Sequence, residues 1–401
     1  MSKASEHEEM RRRGQTSLVT GFPCWVIRLR TKLTILKIAL DAYGDVFTAL
    51  RVLLSIFRKK KEILGELALP RLVLARGKYY RAITSAAWNS PVFESMVRSE
   101  LNRIVPFREG DTTLQTMIFS ITGRCPLSCE HCYEWNNLSA QETLSYEELS
   151  TILRKFKQRG IINIQFSGGE PLSRFDDLLR LIGEAGENTE LWILTSGFGL
   201  TEERAELLAQ AGLAGVVISL DHWDEAEHNR FRKHDKAYYW AREAARNAVN
   251  AGLVVALSLC ATRDFVTDEN LNRYYNLAKD WGAGIVRILE PRQVGHFQGK
   301  SIELEEDQIR TLTKFYLRAG SAPACKTMPL VEYAGFHQRK LGCFGAGHRY
   351  LYVDSLGDIH ACPFCQGKTG NALVDDLSEV ISRLKDTGCH AFNTQHQESK
   401  R

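Results

Sequence analysis

Six apolar, β-rich runs separated by amphipathic helical stretches restrict the fold of this chain more than any other feature. The runs fall at residues 114–121, 162–166, 191–195, 215–220, 253–260 and 284–289. Helical patterns fill the intervals at 145–159, 175–186, 201–211, 237–251 and 268–281. This alternation predicts parallel βα units, because a parallel connection needs a crossover long enough to hold a helix. Right-handed crossovers then curl the strands into a barrel-like α/β sheet. Six strands are too few for a complete eight-stranded barrel. An apolar fraction of 44% over 401 residues supports a sizeable core. In such architectures chemistry gathers at the C-terminal strand ends.

The loop after the first run holds Cys125, Cys129 and Cys132 in a C-x3-C-x2-C triplet, with His131 just before the third cysteine. Three closely spaced thiolates can each hold one iron of a 4Fe–4S cube, which leaves the fourth iron without a protein ligand. An open coordination position usually marks a catalytic metal site. Structural zinc would need a fourth ligand, and the next cysteine is Cys260, far along the chain. The second run ends in Ser167-Gly168-Gly169-Glu170-Pro171. Glycines at a strand end let a ligand approach the backbone, and Glu170 offers an acceptor for an ammonium group.

These two segments together resemble the signature of the radical S-adenosylmethionine (radical SAM) enzymes, including the flat ring of His131. The resemblance implies a partial (β/α)6 barrel over about residues 112–300. It implies that the open iron chelates S-adenosylmethionine, that Gly168, Gly169 and Glu170 seat its amino group, and that cluster reduction yields a 5′-deoxyadenosyl radical. The cofactor's ribose then belongs at the third and fourth strand tips, where Ser196, Ser219 and Asp221 are the candidate contacts. Thr195 and Ser196 could equally satisfy backbone groups in a turn. Arg287, Glu290, Arg292 and His296, beyond the sixth run, either face substrate or are solvated. The mixed-charge segment 221–232, with His222, His228 and the nearby His234, reads as an exposed loop.

After Gly299 the chain becomes loop-rich and carries Cys325, Cys343, Cys362, Cys365 and Cys389. Residues 350–361 read as a β-hairpin turning at Gly357, which returns the chain so that Cys343 meets Cys362 and Cys365. The spacing from Cys343 through Gly357 to Cys362 resembles the SPASM and twitch extensions of radical SAM enzymes. Five cysteines favour the shorter twitch form with one auxiliary 4Fe–4S cluster on Cys343, Cys362, Cys365 and Cys389, the last preferred to Cys325. Thiolates alone do not distinguish iron from zinc. Ten cysteines without a secretory signal read as metal ligands rather than disulfides. Cys260 reads as a buried apolar thiol, and Cys24 has no evident role.

Residues 1–111 carry twenty Lys and Arg against eleven Asp and Glu, whereas the remainder is acidic. The apolar stretch 24–61 is interrupted by charges and closes on Arg58-Lys59-Lys60-Lys61, and its longest uncharged run, 52–57, is far too short for a bilayer span. It reads as an amphipathic basic helix on an anionic membrane surface or as a helical cap on the barrel. Helical patterns without an evident three-stranded wing are expected there. A nucleic-acid role is not expected, since no groove-reading motif accompanies the charge.

Three regions are expected: 1–111 basic and helical, 112–300 the barrel, 301–401 the auxiliary-cluster extension. The expectation is a cytoplasmic enzyme, peripheral at most on the inner face of the membrane, drawing electrons from a flavodoxin or ferredoxin. It would abstract hydrogen from a peptide, protein or membrane-associated small molecule, in an oxidation or C–H functionalisation. A non-catalytic zinc protein that binds a partner through cysteine loops is the alternative, and it leaves Gly168-Gly169-Glu170 without a purpose.

Overall fold

The computed structural model describes residues 16–64 (side chains to 58), 71–107, 114–139, 141–389 and 392. Lys59, Lys60 and Lys61 therefore carry no described side chains. The N-terminal third holds Ser17–Thr20 (β1), Gly21–Tyr43 (α1), Val46–Leu64 (α2), Arg71–Ala75 (β2), Lys78–Tyr80 (β3) and Val92–Ile104 (α3). The body begins with Thr116–Ser120 (β4), Tyr146–Gln158 (α4), Asn163–Ser167 (β5), Phe175–Ala185 (α5), Glu190–Thr195 (β6) and Glu202–Gln210 (α6). It continues with Gly215–Ser219 (β7), Glu225–Arg232 (α7), Ala237–Asn250 (α8), Val254–Cys260 (β8), Asp268–Asp280 (α9) and Ile285–Leu289 (β9). The last part adds Glu306–Ser321 (α10), Leu330–Tyr333 (β10), Ala334–Leu341 (α11), Tyr350–Val353 (β11), Asp358–His360 (β12), Gly370–Asn371 (β13) and Leu377–Thr387 (α12).

β4 to β9 pair in sequence order, all parallel, as the alternation predicts. Side chains alternate faces along each strand. Ile164 and Phe166 of β5, and Val286 and Ile288 of β9, point outward into the core formed with the helices. Gln165, Ser167, Ser258 and Arg287 point inward and line a cavity. The strands read as near-continuous apolar runs because several inward positions are apolar as well, among them Trp192, Val217, Val254 and Ile285, which pack against the N-terminal residues. Helix starts follow local chemistry: Ser145 and Glu148 form a reciprocal capping box on α4, and Thr201 caps α6.

The sheet is larger than six strands. β10 adds to β9 in parallel, β11 adds to β4 in parallel, and β12 and β13 follow antiparallel, giving ten. The hairpin of β11 and β12 forms as expected, with Gly357 at a φ of +80° in its turn. Its attachment to β4 was not legible, because edge pairing depends on tertiary placement.

The N-terminal region departs from the helical expectation. β1, β2 and β3 form a three-stranded antiparallel sheet. Val73, Ala75 and Tyr80 pack beneath the large sheet against Trp192, Val254 and Ile285. Any Cβ on Gly284 would come within 2.7 Å of Val73, so this close approach requires glycine. Arg71 locks the contact. Its buried guanidinium donates to the carbonyls of Cys325, Met328, Pro329 and Ala319 and to the Tyr275 hydroxyl. Among the described residues no helix is long and apolar enough to cross a membrane.

Replacing Arg71 with Met takes the side-chain donor from the Ala319 and Met328 carbonyls, at about 1–3 kcal/mol each where water cannot reach, whereas Cys325 O keeps the Met328 amide and Pro329 O the Tyr275 hydroxyl. Urea denaturation of Arg71→Met is expected to show a loss of about 3 kcal/mol or more; a midpoint equal to that of the parent would contradict the clamp.

Candidate active site

The loop between β4 and α4 carries Cys125, Cys129 and Cys132 and has little secondary structure of its own. Backbone hydrogen bonds from neighbouring strand tips hold it. The Gly169 and Glu170 amides donate to Thr122 O (2.8 Å) and Arg124 O (2.7 Å). The His296 amide donates to Cys132 O (2.9 Å), and its Nδ1 donates to Cys129 O (2.9 Å). A Cβ on Gly169 would lie 2.4 Å from Arg124 O, and one on Gly295 2.2 Å from Cys132 O. Only glycine permits either approach. His296 also stacks on Trp135, with ring centroids 4.1 Å apart. Sequence reasoning missed Gly295 and left His296 between two roles; a loop contact made across the barrel leaves no local signal.

All three thiols line a cavity of about 1020 Å³ at the C-terminal strand ends. Burial raises each of them, Cys132 to about 12, with the neighbouring thiols adding to the effect on Cys125 and Cys132. Metal binding would therefore release protons. His131 stacks on Phe231 at 4.7 Å, and burial lowers it to about 4, so it is a neutral ring. Its Nδ1 is buried without a hydrogen-bond partner in the cavity wall.

Glu170 occupies the site in a different manner from the sequence expectation. Its residue is fully buried, and its carboxylate accepts from Thr195 Oγ1 (2.7 Å), the Ser196 amide (2.8 Å), Ser196 Oγ and the Leu172 amide. Burial raises it against the lowering effect of these donors. Gly168 and Gly169, rather than the Glu170 side chain, form the cavity wall. Ser196, Ser219 and Asp221 line the same cavity, so the four expected strand tips do converge.

The segment 221–232 is not an exposed loop. α7 folds back over the site, burying His228 and Arg232. Arg232 Nε donates to Asp221 Oδ2 at 2.6 Å, and Nη1 lies 3.6 Å from Cys129 Sγ. The other Asp221 oxygen accepts from the Cys260 amide at 3.0 Å, and the Asp221 amide donates to His228 Nδ1 at 3.1 Å. Burial alone would raise the Asp221 carboxyl, but Arg232, with His131 and His228 behind it, holds it below the usual carboxylate range. Mixed charges suggested solvent because the i,i+11 pairing of Asp221 with Arg232 exists only after the helix packs. Cys260 is buried, as expected, and it also lines the cavity.

The second thiol group gathers at the hairpin. The Cys389 thiol neighbours those of Cys343 and Cys365, and Cys365 also lies against Cys362. Cys325 lies apart, beside Tyr275, with its carbonyl on Arg71. The four gathered thiols are the four that the resemblance to twitch extensions implies. Tyr350, Cys362 and Phe364 line the cavity that Cys125, Cys129 and Cys132 line. Gln366 donates to Tyr133 O at 2.8 Å, and Tyr352 donates to Glu134, so the two loops are tied together. Beyond the sixth strand, Arg287, Glu290 and Arg292 face this cavity, Glu290 in a two-pronged pair with Arg339 (2.6 and 2.7 Å).

Among the described residues no three His, Cys, Asp or Glu side chains meet around a single-ion position. The residues fit a cluster by donor chemistry: soft thiols in a buried wall, glycines admitting close backbone approach, and a neutral His131 with an unpartnered nitrogen for a polar ligand.

The radical SAM superfamily model matches residues 119–278. PqqA peptide cyclase of Streptomyces rochei is 30% identical over 274 residues, 66% of this chain and 74% of that protein. The enzyme of the same name from Gluconobacter oxydans (strain 621H) is 30% identical over 261 residues, 62% and 69% of the two chains. Streptococcus suis SuiB, solved bound to precursor peptide SuiA, superposes with a TM-score of 0.56 at 16% identity, over 72% of this chain and 70% of SuiB. Native anSMEcpe with bound AdoMet gives 0.52 at 16% identity, over 72% and 86%. This chain belongs to the radical SAM superfamily. S-adenosylmethionine and a 4Fe–4S cluster are its cofactors.

Arg232→Met strands a buried carboxylate, at a cost of about 3–5 kcal/mol. Chemical denaturation is expected to show that loss for Arg232→Met and a smaller one for Arg232→Lys; equal stability of all three proteins would refute the pairing.

Proposed function

We propose that this chain is a peptide-modifying radical SAM enzyme with an auxiliary iron–sulfur cluster. The observation that carries the reading is a single cavity with Cys125, Cys129 and Cys132 in one wall and Cys362 of the second thiol group in another. Cys125, Cys129 and Cys132 would hold the catalytic cluster; Cys343, Cys362, Cys365 and Cys389 would hold the auxiliary one. When bound, cluster and S-adenosylmethionine supply a 5′-deoxyadenosyl radical that takes a hydrogen atom from substrate.

The chain's own residues position and enclose. Gly168 and Gly169 admit the cofactor's methionine end to the backbone. Glu170 is a positioning residue that fixes Thr195 and Ser196 through the hydrogen bonds described above. Ser196 and Ser219 offer hydroxyls for the ribose. Asp221, braced by Arg232, orients the wall beside His131. Arg232 also sets a cation next to Cys129, which favours its thiolate. Reducing equivalents come from an external donor of the flavodoxin or ferredoxin kind. With an auxiliary cluster to accept an electron, the net reaction is an oxidation or a C–H functionalisation.

The peptide substrate is supported by the relatives, two of which are PqqA peptide cyclases and another of which was solved with its precursor peptide. A second reading, a membrane-associated small molecule, is favoured by the cavity's apolar arm. Ile35, Leu53, Ile56, Met96, Val97 and Ile104 line that arm. An aliphatic chain fits such a surface.

Anaerobically reconstituted protein is expected to hold about eight iron and about eight sulfide per chain. Joint replacement of Cys125, Cys129 and Cys132 by Ala is expected to leave about half and to abolish 5′-deoxyadenosine formation with dithionite. In that background Cys389→Ala is expected to remove the remaining iron and Cys325→Ala to retain it. Stoichiometric zinc without iron would sink the whole assignment, whereas the reverse pattern of the last two variants would overturn only the fourth ligand.

A further inference from the structure

α1 and α2 form a helical hairpin whose inner face is accounted for: Ile38, Ala39, Val52 and Leu53 pack on Phe93, Val97 and Leu101. Its outer face is apolar. On α1, Phe22, Trp25, Leu29 and Leu33 recur at helical spacing and are all exposed, Phe22 by 75%. On α2, Phe47, Leu50, Leu54 and Phe57 do the same, Phe47 by 84%. Of these side chains only Phe57 lines the cavity. The two stripes belong to one surface, since Lys32 Nζ of α1 sits 6.0 Å from the centre of the Phe57 ring of α2. A face of this kind usually marks an interaction site, because so many adjacent large apolar side chains are costly to leave in water.

Charge identifies the occupant. At 3.6 residues per turn, Arg30 and Lys37 fall on one flank of the α1 stripe and Lys32 on the other. Arg51 and Arg58 flank the α2 stripe. All five are exposed, and the acids described as exposed on the hairpin, Asp41 and Asp45, lie at its turn. Aromatic and aliphatic side chains in the centre with Arg and Lys at the edges match a bilayer interface, where the apolar groups enter the headgroup boundary and the cations meet anionic lipid. The helices cannot span, so the contact is peripheral.

We infer that the α1–α2 hairpin docks this protein on an anionic membrane surface, an association independent of which substrate is modified. Phe57 lines the apolar arm of the cavity as well as the outer face, so docking would bring that arm to the lipid.

The test is co-sedimentation of full-length, cluster-loaded protein with vesicles of phosphatidylcholine alone or mixed equally with phosphatidylglycerol. Parent protein is expected to pellet with the anionic vesicles at low salt, less so at high salt, and weakly with neutral ones. A variant with Phe22, Trp25, Phe47 and Leu54 all changed to Ser is expected to bind at least roughly tenfold more weakly. Arg30→Glu with Lys37→Glu should lose the preference for anionic vesicles alone. Both variants should match the parent in thermal melting and in vesicle-free S-adenosylmethionine cleavage, which separates lost docking from lost folding. Parent protein that stays in the supernatant, or a four-Ser variant that binds equally well, overturns the inference. So does a parent dimer by light scattering that the four-Ser variant makes monomeric, since the face would then belong to a second copy of this chain.

Discussion

Everything at this site depends on a loop that cannot hold its own shape. Residues 121–133 present three thiols from an irregular backbone, and buried amides and carbonyls there need partners. Partners come from three places: Gly169 and Glu170 after β5, His296 beyond β9, and α7, whose Phe231 carbonyl accepts from the Glu130 amide. A Cβ at Gly169 or Gly295 would collide with the loop's carbonyls. The thiols are thus positioned by the closure of backbone around them from both sides of the partial barrel. An irregular loop held in this way keeps three thiols in fixed relative positions.

The sheet supplies the rigid frame through its period of two. Outward Val, Ile, Leu and Phe take the helices, and inward Gln165, Ser167, Ser219, Ser258 and Arg287 take the cavity. The N-terminal sheet seals the opposite end, with Val73 against Gly284 and Arg71 across the loop after α10. One region therefore does two physical jobs. Its strands cap the barrel, and its helices both wall the apolar arm and expose a basic, apolar surface.

Electrostatics in the wall follow from burial. Asp221 is held below its usual range chiefly because Arg232 is buried with it, and burial keeps His131 neutral in the same surroundings. A fixed cation beside Cys129 and a neutral ring beside Cys132 are what a thiolate site with a polar cofactor requires. Glu170 shows the other use of a buried carboxylate: it organises two strand tips through four hydrogen bonds rather than meeting a ligand itself.

Much of this was legible along the chain. Hydrophobic periodicity gave the six βα units, since strand and helix periods are local properties. Cysteine spacing and Gly168-Gly169-Glu170 identified the family, because ligands on one loop must be close in sequence. Gly357 and the flanking strands foretold the hairpin that gathers the second thiol group, and Cys389 joins it as Gly388 turns the chain after α12. Contacts between distant segments were not legible. The three-stranded N-terminal sheet, the attachment of β11 to β4, the burial of Arg232 over Asp221 and the orientation of Glu170 are each decided by what packs nearby. Sequence alone determined the family and singled out the candidate residues for a cluster and a cofactor. Only the tertiary structure decided which side chains face the cavity and which brace it, because burial and pairing belong to the folded neighbourhood and not to the residue.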